Sequence, residues 1–181
     1  MNLSDRYHKE IMPKLSEELK FTNTHRVPRV AKIVLNIGLG EAMDDKKVLE
    51  IMSQQLALIT GQKPLVTKSR RAIAVFKLRA GAPIGLKVTL RGARMWAFLE
   101  KLIGIVFPRV RDFRGVSANG FDRDGNLNLG FSEITVFPEV NYETLDKVRG
   151  VEVTIVTSAQ TKDEGKALLT ALGMPFEKKD N

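Results

Sequence analysis

Residues 84–91 constrain the fold more than any other part of the chain. They read Ile-Gly-Leu-Lys-Val-Thr-Leu-Arg, in which apolar residues alternate with glycine and polar residues. A period of two is typical of a β-strand with one buried face, and it places Lys87, Thr89 and Arg91 together on the other face. The sequence therefore predicts a sheet with one open, cationic face.

The same strand lies in a basic stretch, Gly61 to Arg94, that carries nine lysine and arginine residues and no acidic residue. The other 20 basic residues of the chain are balanced by 21 acidic residues, so this stretch accounts for the whole net charge of +8. Nine cations so close together predict a binding surface for a polyanion. A basic hairpin that merely faces water is the alternative, although such surfaces usually mix both signs of charge.

A long loop joins two strands of the basic stretch. Residues 63–67 and 84–91 read as strands, and the loop between them, 68–83, is too long for a tight hairpin turn. Long loops in compact domains are more often functional than idle. We therefore expect this basic β–β loop to take part in binding.

The composition indicates a globular protein. With 181 residues and 43% hydrophobic residues, we expect a single domain, 1–181, with an N-terminal helical segment 1–20 packed on a core 29–173 and a flexible C-terminal tail 174–181. There is no cysteine, which excludes disulfides and thiolate metal sites and fits a reducing cytosol. No secretory signal or membrane span is visible, so the sequence predicts a cytoplasmic protein without a membrane partner.

Periodicity and caps predict the remaining elements of an α+β fold. Asn36 is the one polar residue in the centre of its strand, and it could be buried and satisfied by the backbone or face a ligand. Pro13 predicts a kink or two short helices in the first segment. Asp124-Gly125 predicts a type I′ hairpin. The predicted elements are helices at 3–20, 45–59, 93–103 and 162–172, and strands at 31–40 and 151–157. Asp44 and Asp45 are predicted to cap the second helix and Gly61 to end it, and residues 161–164 form a capping box for the last helix.

A second basic segment follows the third helix. Arg109, Arg111 and Arg114 alternate loosely with Val110 and Phe113. Arginines interleaved with aromatics suit nucleic-acid backbones and unpaired bases. An edge strand that presents its arginines to water is nearly as good an interpretation. Trp96, in the preceding helix, is expected in the core rather than as a platform for base stacking.

The sequence carries no recognisable catalytic machinery. The only histidines, His8 and His25, lie outside any cluster of acid–base residues, and the nearest approach to a metal loop, residues 122–128, lacks the terminal glutamate of a calcium site. We therefore predict no catalytic residue, no metal and no cofactor. Two other classes stay open: an enzyme that acts on nucleic acid through a hidden pair of acids, and a free RNA chaperone.

Three long segments give the chain a family resemblance. Residues 32–42 (KIVLNIGLGEA), 73–91 (IAVFKLRAGAPIGLKVTLR) and 108–115 (PRVRDFRG) strongly resemble ribosomal protein five of the large subunit, in its bacterial form. Their spacing and the total length match as well, so the resemblance covers essentially the whole chain.

The resemblance implies a fold and a set of partners. Members of that family have an α+β fold, in which an antiparallel sheet carries helices on one face and binds RNA with the other. They bind 5S rRNA in the central protuberance, contact a helix of 23S rRNA and lie beside neighbouring large-subunit proteins. They also contact P-site tRNA through the loop between the second and third strands, and bridge to a head protein of the small subunit.

Residue by residue, the resemblance implies three sets of contacts. The residues that look like 5S rRNA contacts are Asn36, Gln62, Lys63, Thr67, Lys68, Ser69, Arg70, Arg71, Lys87, Thr89 and Arg91. The residues that look like the tRNA-contacting loop are Ala74, Val75, Phe76, Lys77, Leu78, Arg79, Ala80, Gly81 and Ala82. Arg109, Arg111 and Arg114 look like further contacts to RNA or to the subunit bridge. Leu127, where the family usually has an aromatic residue, and Ile134 depart from the family pattern and put local contacts on the bridge side in doubt.

Overall fold

The computed structural model describes residues 2–43, 45–76 and 78–177. Its centre is a five-stranded antiparallel sheet in the order β2-β3-β1-β5-β4, which confirms the predicted α+β class. The strands are β1 (Val30–Gly38), β2 (Leu65–Lys68), β3 (Pro83–Leu90), β4 (Leu127–Phe131) and β5 (Val151–Thr157).

Short helical segments precede, connect and follow the strands. The α-helices are α1 (Leu3–Arg6), α2 (Met12–Glu18), α3 (Lys46–Thr60), α4 (Gly92–Lys101), α5 (Phe107–Arg109) and α6 (Lys162–Ala171). The 3₁₀ turns are Thr24–Arg26, Gly40–Met43, Ala74–Phe76, Ala118–Gly120, Ile134–Val136 and Tyr142–Thr144.

The chain folds into two compact units. The first unit consists of the segment that ends at Ile33, the segment Leu90–Leu129 and the segment that begins at Thr154. The second unit consists of Val34–Thr89 and Gly130–Val153.

Two prolines in the first unit each lie two residues after the end of a π-helical turn. The turns are Tyr7–Ile11, before Pro13, and Leu102–Val106, before Pro108. Proline cannot donate to the carbonyl four residues earlier and clashes with it, whereas the wider π turn shifts the hydrogen bonding by one residue. The first helical segment is accordingly two α-helices joined by a π turn, as one of the two alternatives for Pro13 predicted.

The N-terminal helices pack through a buried tyrosine. Tyr7 donates its hydroxyl proton to the carbonyl oxygen of Pro28 at 2.9 Å, and its ring lies 5.5 Å from that of Trp96. Burial raises the pKa of the Tyr7 hydroxyl, an effect partly offset by the positive charge of Arg29. Trp96 packs against Tyr7 but is only half-buried, so it lies at the border of the core and not inside it as the sequence predicted.

The end of the described chain also packs into the first unit. Met174 is buried, and the ring of Phe176 lies 5.7 Å from that of Phe121. The N–H of Val116 donates to the carbonyl of Pro175 at 2.7 Å, and the N–H of Glu177 donates to the carbonyl of Val116 at 3.1 Å. Residues 174–177, which the sequence assigned to the tail, are thus part of the folded unit.

In the second unit, α3 buries one stripe beside the strands. Val48, Met52, Leu56 and Ile59 are buried, as their spacing predicts. Asp45 accepts a hydrogen bond from the N–H of Lys47 at 2.9 Å and caps the helix. Asp44, the other predicted cap, lies outside the described residues. At the other end Gly61 is left-handed, with φ of 64°, and stops the helix as expected.

The turn at Asp124-Gly125 differs from its prediction. A type I′ turn needs positive φ at both central residues, but of the two only Gly125 has one. Asp122 instead accepts hydrogen bonds from the N–H groups of Asp124 and Asn126 at 3.0 and 2.8 Å, which forms a wider turn. The type I′ assignment was therefore wrong, because the sequence did not reveal the competing aspartate side chain.

Gly125 allows the close packing of α6 in the first unit. Thr161 caps α6 by accepting from the N–H of Glu164 at 3.3 Å, and Glu164 in turn accepts from the N–H of Gln160 at 2.8 Å. This is close to the predicted capping box. A Cβ atom at Gly165 in the first turn would collide with the backbone of Gly125. The helix can approach the turn only because both residues are glycine.

We expect Gly165→Ala to lower the free energy of unfolding by about 1–3 kcal/mol, because backbone atoms must move to make room. Gly104→Ala is the matched control, since Gly104 is also helical but a Cβ there meets nothing within 4 Å. It should be neutral or stabilising by about 0.5–1 kcal/mol. Denaturant titration of both variants measures the difference, and equal stabilities would contradict this packing.

Candidate nucleic-acid interface

Strand β3 has the predicted alternation. Leu86, Val88 and Leu90 are buried, whereas Lys87 is exposed and Thr89 is half-buried. Strand β2 pairs with it in antiparallel register, so that Leu65 lies opposite Lys87. Directly paired residues share a face of the sheet. The face away from the core therefore carries Lys87 and Thr89, as the sequence predicts.

Asn36 lies on the same open face. Its neighbours in β1, Leu35 and Ile37, are buried, so the half-buried Asn36 faces away from the core. Strand β1 neighbours β3 in the sheet. Within the described chain the Asn36 amide has no hydrogen-bond partner, which favours the ligand-facing interpretation over a buried asparagine satisfied by the backbone.

Gln62 is held beside Thr89. Its Nε2 donates to the carbonyl oxygen of Thr89 at 3.3 Å. Its backbone N–H donates to the hydroxyl oxygen of Thr60 at 3.3 Å, and that hydroxyl donates its proton to the carbonyl of Leu56 at 2.7 Å at the end of α3. The end of α3 thus positions Gln62 beside the C-terminal end of β3. The structure brings two of the predicted polar residues together, and the amide oxygen of Gln62 stays available as an acceptor.

The cations that are predicted to contact RNA lie near these polar residues in the sequence. Those that the structure describes have exposed side chains. The exposed ones in the second unit are Lys63, Lys68, Arg70, Arg71, Arg79 and Lys87, whereas Thr67 and Ser69 are half-buried. In the described part of the chain none of these cations forms an ion pair. Their full charge is therefore available to a polyanion.

The loop between β2 and β3 has an ordered neck. The N–H of Ser69 donates to Ala82 at 2.8 Å, and the N–H of Gly81 donates to Ser69 at 2.9 Å. Further out, Ile73 and Leu78 form an antiparallel bridge. Val75 and Phe76, in the 3₁₀ turn between them, are 87% and 68% exposed. The loop is a closed finger with an apolar tip, and Lys77 lies outside the described residues.

Arg91 belongs to the first unit, where it is the N-cap residue of α4 and is exposed. Arg109, Arg111 and Arg114 are also exposed and belong to the same unit. The segment that bears the last two is a loop, not the edge strand that was the alternative interpretation. Phe113 is not free for a base, because its ring stacks on the buried ring of Phe107 at 5.0 Å and 18°.

An acidic segment in the second unit was missed by the sequence reasoning. Residues 131–146 contain four acidic residues and no lysine or arginine. Glu133, Glu139, Glu143 and Asp146 are all exposed, and Tyr142 beside them is 68% exposed. The sequence does indicate this segment, because its charged residues are all acidic, just as those of the basic stretch are all basic. Ile134, one of the two departures from the family pattern, is buried under this segment, whereas Leu127 is buried in the first unit.

A buried arginine anchors the end of the acidic segment. Arg149, with a side chain only 7% exposed, donates to both carboxylate oxygens of Asp146 at 2.8 and 3.0 Å and to Glu41 at 3.0 Å. The guanidinium lowers the pKa of Asp146 to about 2, and Lys147 together with Arg149 lowers the pKa of Glu41. The same contacts raise the pKa of Arg149. Asp146, Glu41 and Arg149 are therefore charged at neutral pH, and their ion pairs hold the end of the segment in place.

The described residues contain no group of three or more His, Cys, Asp or Glu side chains able to hold a metal ion. Among those residues, no helix is both long and apolar enough to span a membrane.

Exposed cations with no acidic residue among them, on β2, β3 and the finger, are typical of a nucleic-acid-binding protein. The chain matches the family model for ribosomal protein L5 over residues 23–79 and the model for the C-terminus of the same ribosomal protein family over residues 83–176. The chain therefore belongs to the ribosomal protein L5 family, which confirms the resemblance. As a member it is a structural RNA-binding protein of the large ribosomal subunit in the cytoplasm, and it is not an enzyme.

Three curated relatives show how far this similarity extends. The chain is 55% identical to the large ribosomal subunit protein uL5 of Synechocystis sp. over 170 residues, which cover 94% of each chain. It is 54% identical to the protein of the same name from Prochlorococcus marinus over 176 residues, or 97% of this chain and 98% of the relative. The protein of the same name from Gloeothece citriformis is 53% identical over 172 residues, or 95% and 96%.

Proposed function

We propose that this protein binds 5S rRNA through the open face of β1, β2 and β3. The observation that carries the proposal is the arrangement of Gln62 and Thr89, joined by a hydrogen bond, on a face with exposed cations and no acid. Lys63, Lys68, Arg70, Arg71 and Lys87 supply affinity by contacting phosphates and releasing counterions. Arg91, with Thr67 and Ser69, completes the set that the resemblance assigns to this RNA.

The polar residues of this face supply discrimination. Asn36, Gln62 and Thr89 offer an amide, an amide oxygen and a hydroxyl, which can read the base edges and 2′-hydroxyls that distinguish one RNA from another. The hydrogen bond from Gln62 fixes the end of β3 before RNA arrives. Little side-chain entropy is then lost on binding.

We expect the double variant Arg70→Ala, Arg71→Ala to weaken 5S rRNA binding and to lower its salt dependence. Loss of two phosphate contacts reduces the slope of log affinity against log salt by about 1.5. Filter-binding titrations at several salt concentrations measure both quantities. Lys9→Ala, Lys14→Ala is the matched control, because it removes two exposed cations from the N-terminal helices.

In the same assay, Thr89→Val tests the recognition of RNA by the Thr89 hydroxyl without changing the charge of the protein. It keeps the shape and charge of the strand, so binding should weaken while the salt slope stays unchanged, and Thr89→Ser should restore binding. The assignment of Arg70 and Arg71 would be wrong if their variant kept the affinity and slope of the wild type. A slope that fell with Thr89→Val would mean that Thr89 only holds the cationic face in shape.

We also propose that the finger contacts P-site tRNA. Backbone hydrogen bonds close its neck, and its exposed apolar tip lies between Arg71 and Arg79 in the sequence. Charges attract the RNA backbone, and the tip can pack against a sugar or a base.

The finger is tested by Val75→Ser, Phe76→Ser on assembled ribosomes. These changes remove the apolar tip without altering charge, and we expect weaker P-site tRNA retention with unchanged 5S rRNA content. Rates of tRNA dissociation measure the first quantity, and RNA analysis of purified subunits measures the second. Unaltered tRNA dissociation would refute the contact.

The charge of the acidic segment is suited to binding a protein, and we propose that this segment forms the bridge to the small-subunit head. Glu133, Glu139 and Glu143 would repel RNA but attract a basic protein surface. Arg149 holds the segment through Asp146, so that the surface is formed in advance. Contacts with 23S rRNA and neighbouring large-subunit proteins are proposed for the remaining cationic surfaces, among them Arg109, Arg111 and Arg114.

Charge reversal tests the bridge. Large subunits that carry Glu133→Lys, Glu143→Lys should associate more slowly with purified small subunits, because electrostatic attraction mainly sets the rate of encounter. Glu50→Lys, Glu152→Lys is the matched control, as both residues are exposed in the same unit. Light scattering after rapid mixing measures association. Equal rates for the two variants would exclude the acidic segment as the bridge surface.

A further inference from the structure

The loop 109–116, here called the arginine loop, has a built framework. One side is anchored by Phe113, whose ring stacks on Phe107 in the core. Its end is anchored by Val116, which exchanges backbone hydrogen bonds with Pro175 and Glu177 at 2.7 and 3.1 Å. The loop is therefore tied to the first unit at both points.

The loop presents three cations and one acid. Arg109, Arg111 and Arg114 are exposed, and in the described residues none of them forms an ion pair. The acid, Asp112, is exposed between Arg111 and Phe113. A surface that is merely solvated does not need a fixed backbone beneath it.

Asp112 has a backbone conformation that side chains rarely adopt. Its φ is 52°, and among the described residues only Lys20 is another non-glycine residue with positive φ. The left-handed region costs most residues free energy, although Asp and Asn tolerate it better than others. Here Asp112 lies in the turn before Phe113, whose ring stacks on the buried Phe107 while Arg111 and Arg114 are exposed. Strain of this kind is often retained where it positions functional groups.

We propose that Asp112 is a positioning residue, whose left-handed backbone holds the arginine loop ready to bind the phosphate backbone of RNA. The inference rests on the proposed function, in which the protein binds ribosomal RNA. From the sequence, either RNA or the subunit bridge could be the partner of these arginines, and the inference selects RNA. Phosphates are favoured over bases because the one nearby aromatic ring is already stacked on Phe107. Phosphates are favoured over a basic partner protein because like charges repel.

Four substitutions of Asp112 separate backbone geometry from charge. Gly, Asn, Ala and Val all remove the same negative charge beside the arginines. Glycine and asparagine tolerate positive φ, whereas valine is β-branched and does not. If charge alone mattered, all four would raise RNA affinity equally. We expect D112G and D112N to bind as tightly as the wild type or more tightly, and D112V to bind about fivefold to tenfold more weakly than D112N.

The probes are purified 23S rRNA and purified 5S rRNA, titrated at several salt concentrations. Arg111→Ala, Arg114→Ala should lower the salt slope for at least one of them by about 1.5. D112V should lower the slope in the same direction for the same RNA, because its arginines are present but misplaced. Thermal unfolding checks that each variant is folded, and D112A replaces D112V in the comparison if valine prevents folding.

These titrations distinguish a failure of this inference from a failure of the proposed function. If the wild type binds neither RNA better than bulk tRNA, the proposed function fails. If binding responds to Arg70→Ala, Arg71→Ala while D112N and D112V bind equally, only this inference fails. It also fails if Arg111→Ala, Arg114→Ala leaves RNA binding unchanged but abolishes binding to polyglutamate, since the loop would then recognise an acidic protein.

Discussion

The structure depends on the alternation of side chains in β3, which places cations on one face of the strand and apolar core residues on the other. Alternation in β3 buries Leu86, Val88 and Leu90 and leaves Lys87 and Thr89 outside. Lysine and arginine cannot be buried unpaired, and the basic stretch contains no acid to pair them. A strand with one buried and one open face satisfies both requirements. The repulsion among these cations opposes folding of the free protein, and a bound polyanion would relieve it.

Features that depend on local periodicity could be predicted from the sequence. The buried stripe of α3, its stop at Gly61 and the alternation of β3 all follow from side-chain spacing and backbone preference. Pro13 indicated an interruption, but not its form, because a π turn and a kink both accommodate a proline. The open face was predictable for the same reason as the core, since each strand residue faces one side or the other.

Features that depend on distant residues could not be predicted. Nothing near Gln62 in sequence shows that its amide reaches Thr89, or that Arg149 joins Asp146 to Glu41. Nothing in the sequence shows that Asp112 has a left-handed backbone or that the ring of Phe113 stacks on that of Phe107. The charge of the acidic segment can be read from the sequence, whereas its attachment through Arg149 depends on the fold. Together these contacts give the protein two surfaces of opposite charge, which we propose to serve RNA and protein partners respectively.

The central claim is that the open face reads the structure of one RNA and is not a general polyanion surface. A competition titration tests it most directly, with labelled 5S rRNA bound to the purified protein and bulk tRNA as competitor at several salt concentrations. The account predicts that 5S rRNA stays bound against excess tRNA at moderate salt, because Asn36, Gln62 and Thr89 add contacts that salt does not screen. Equal competition by tRNA, with affinity that collapses as salt rises, would contradict it.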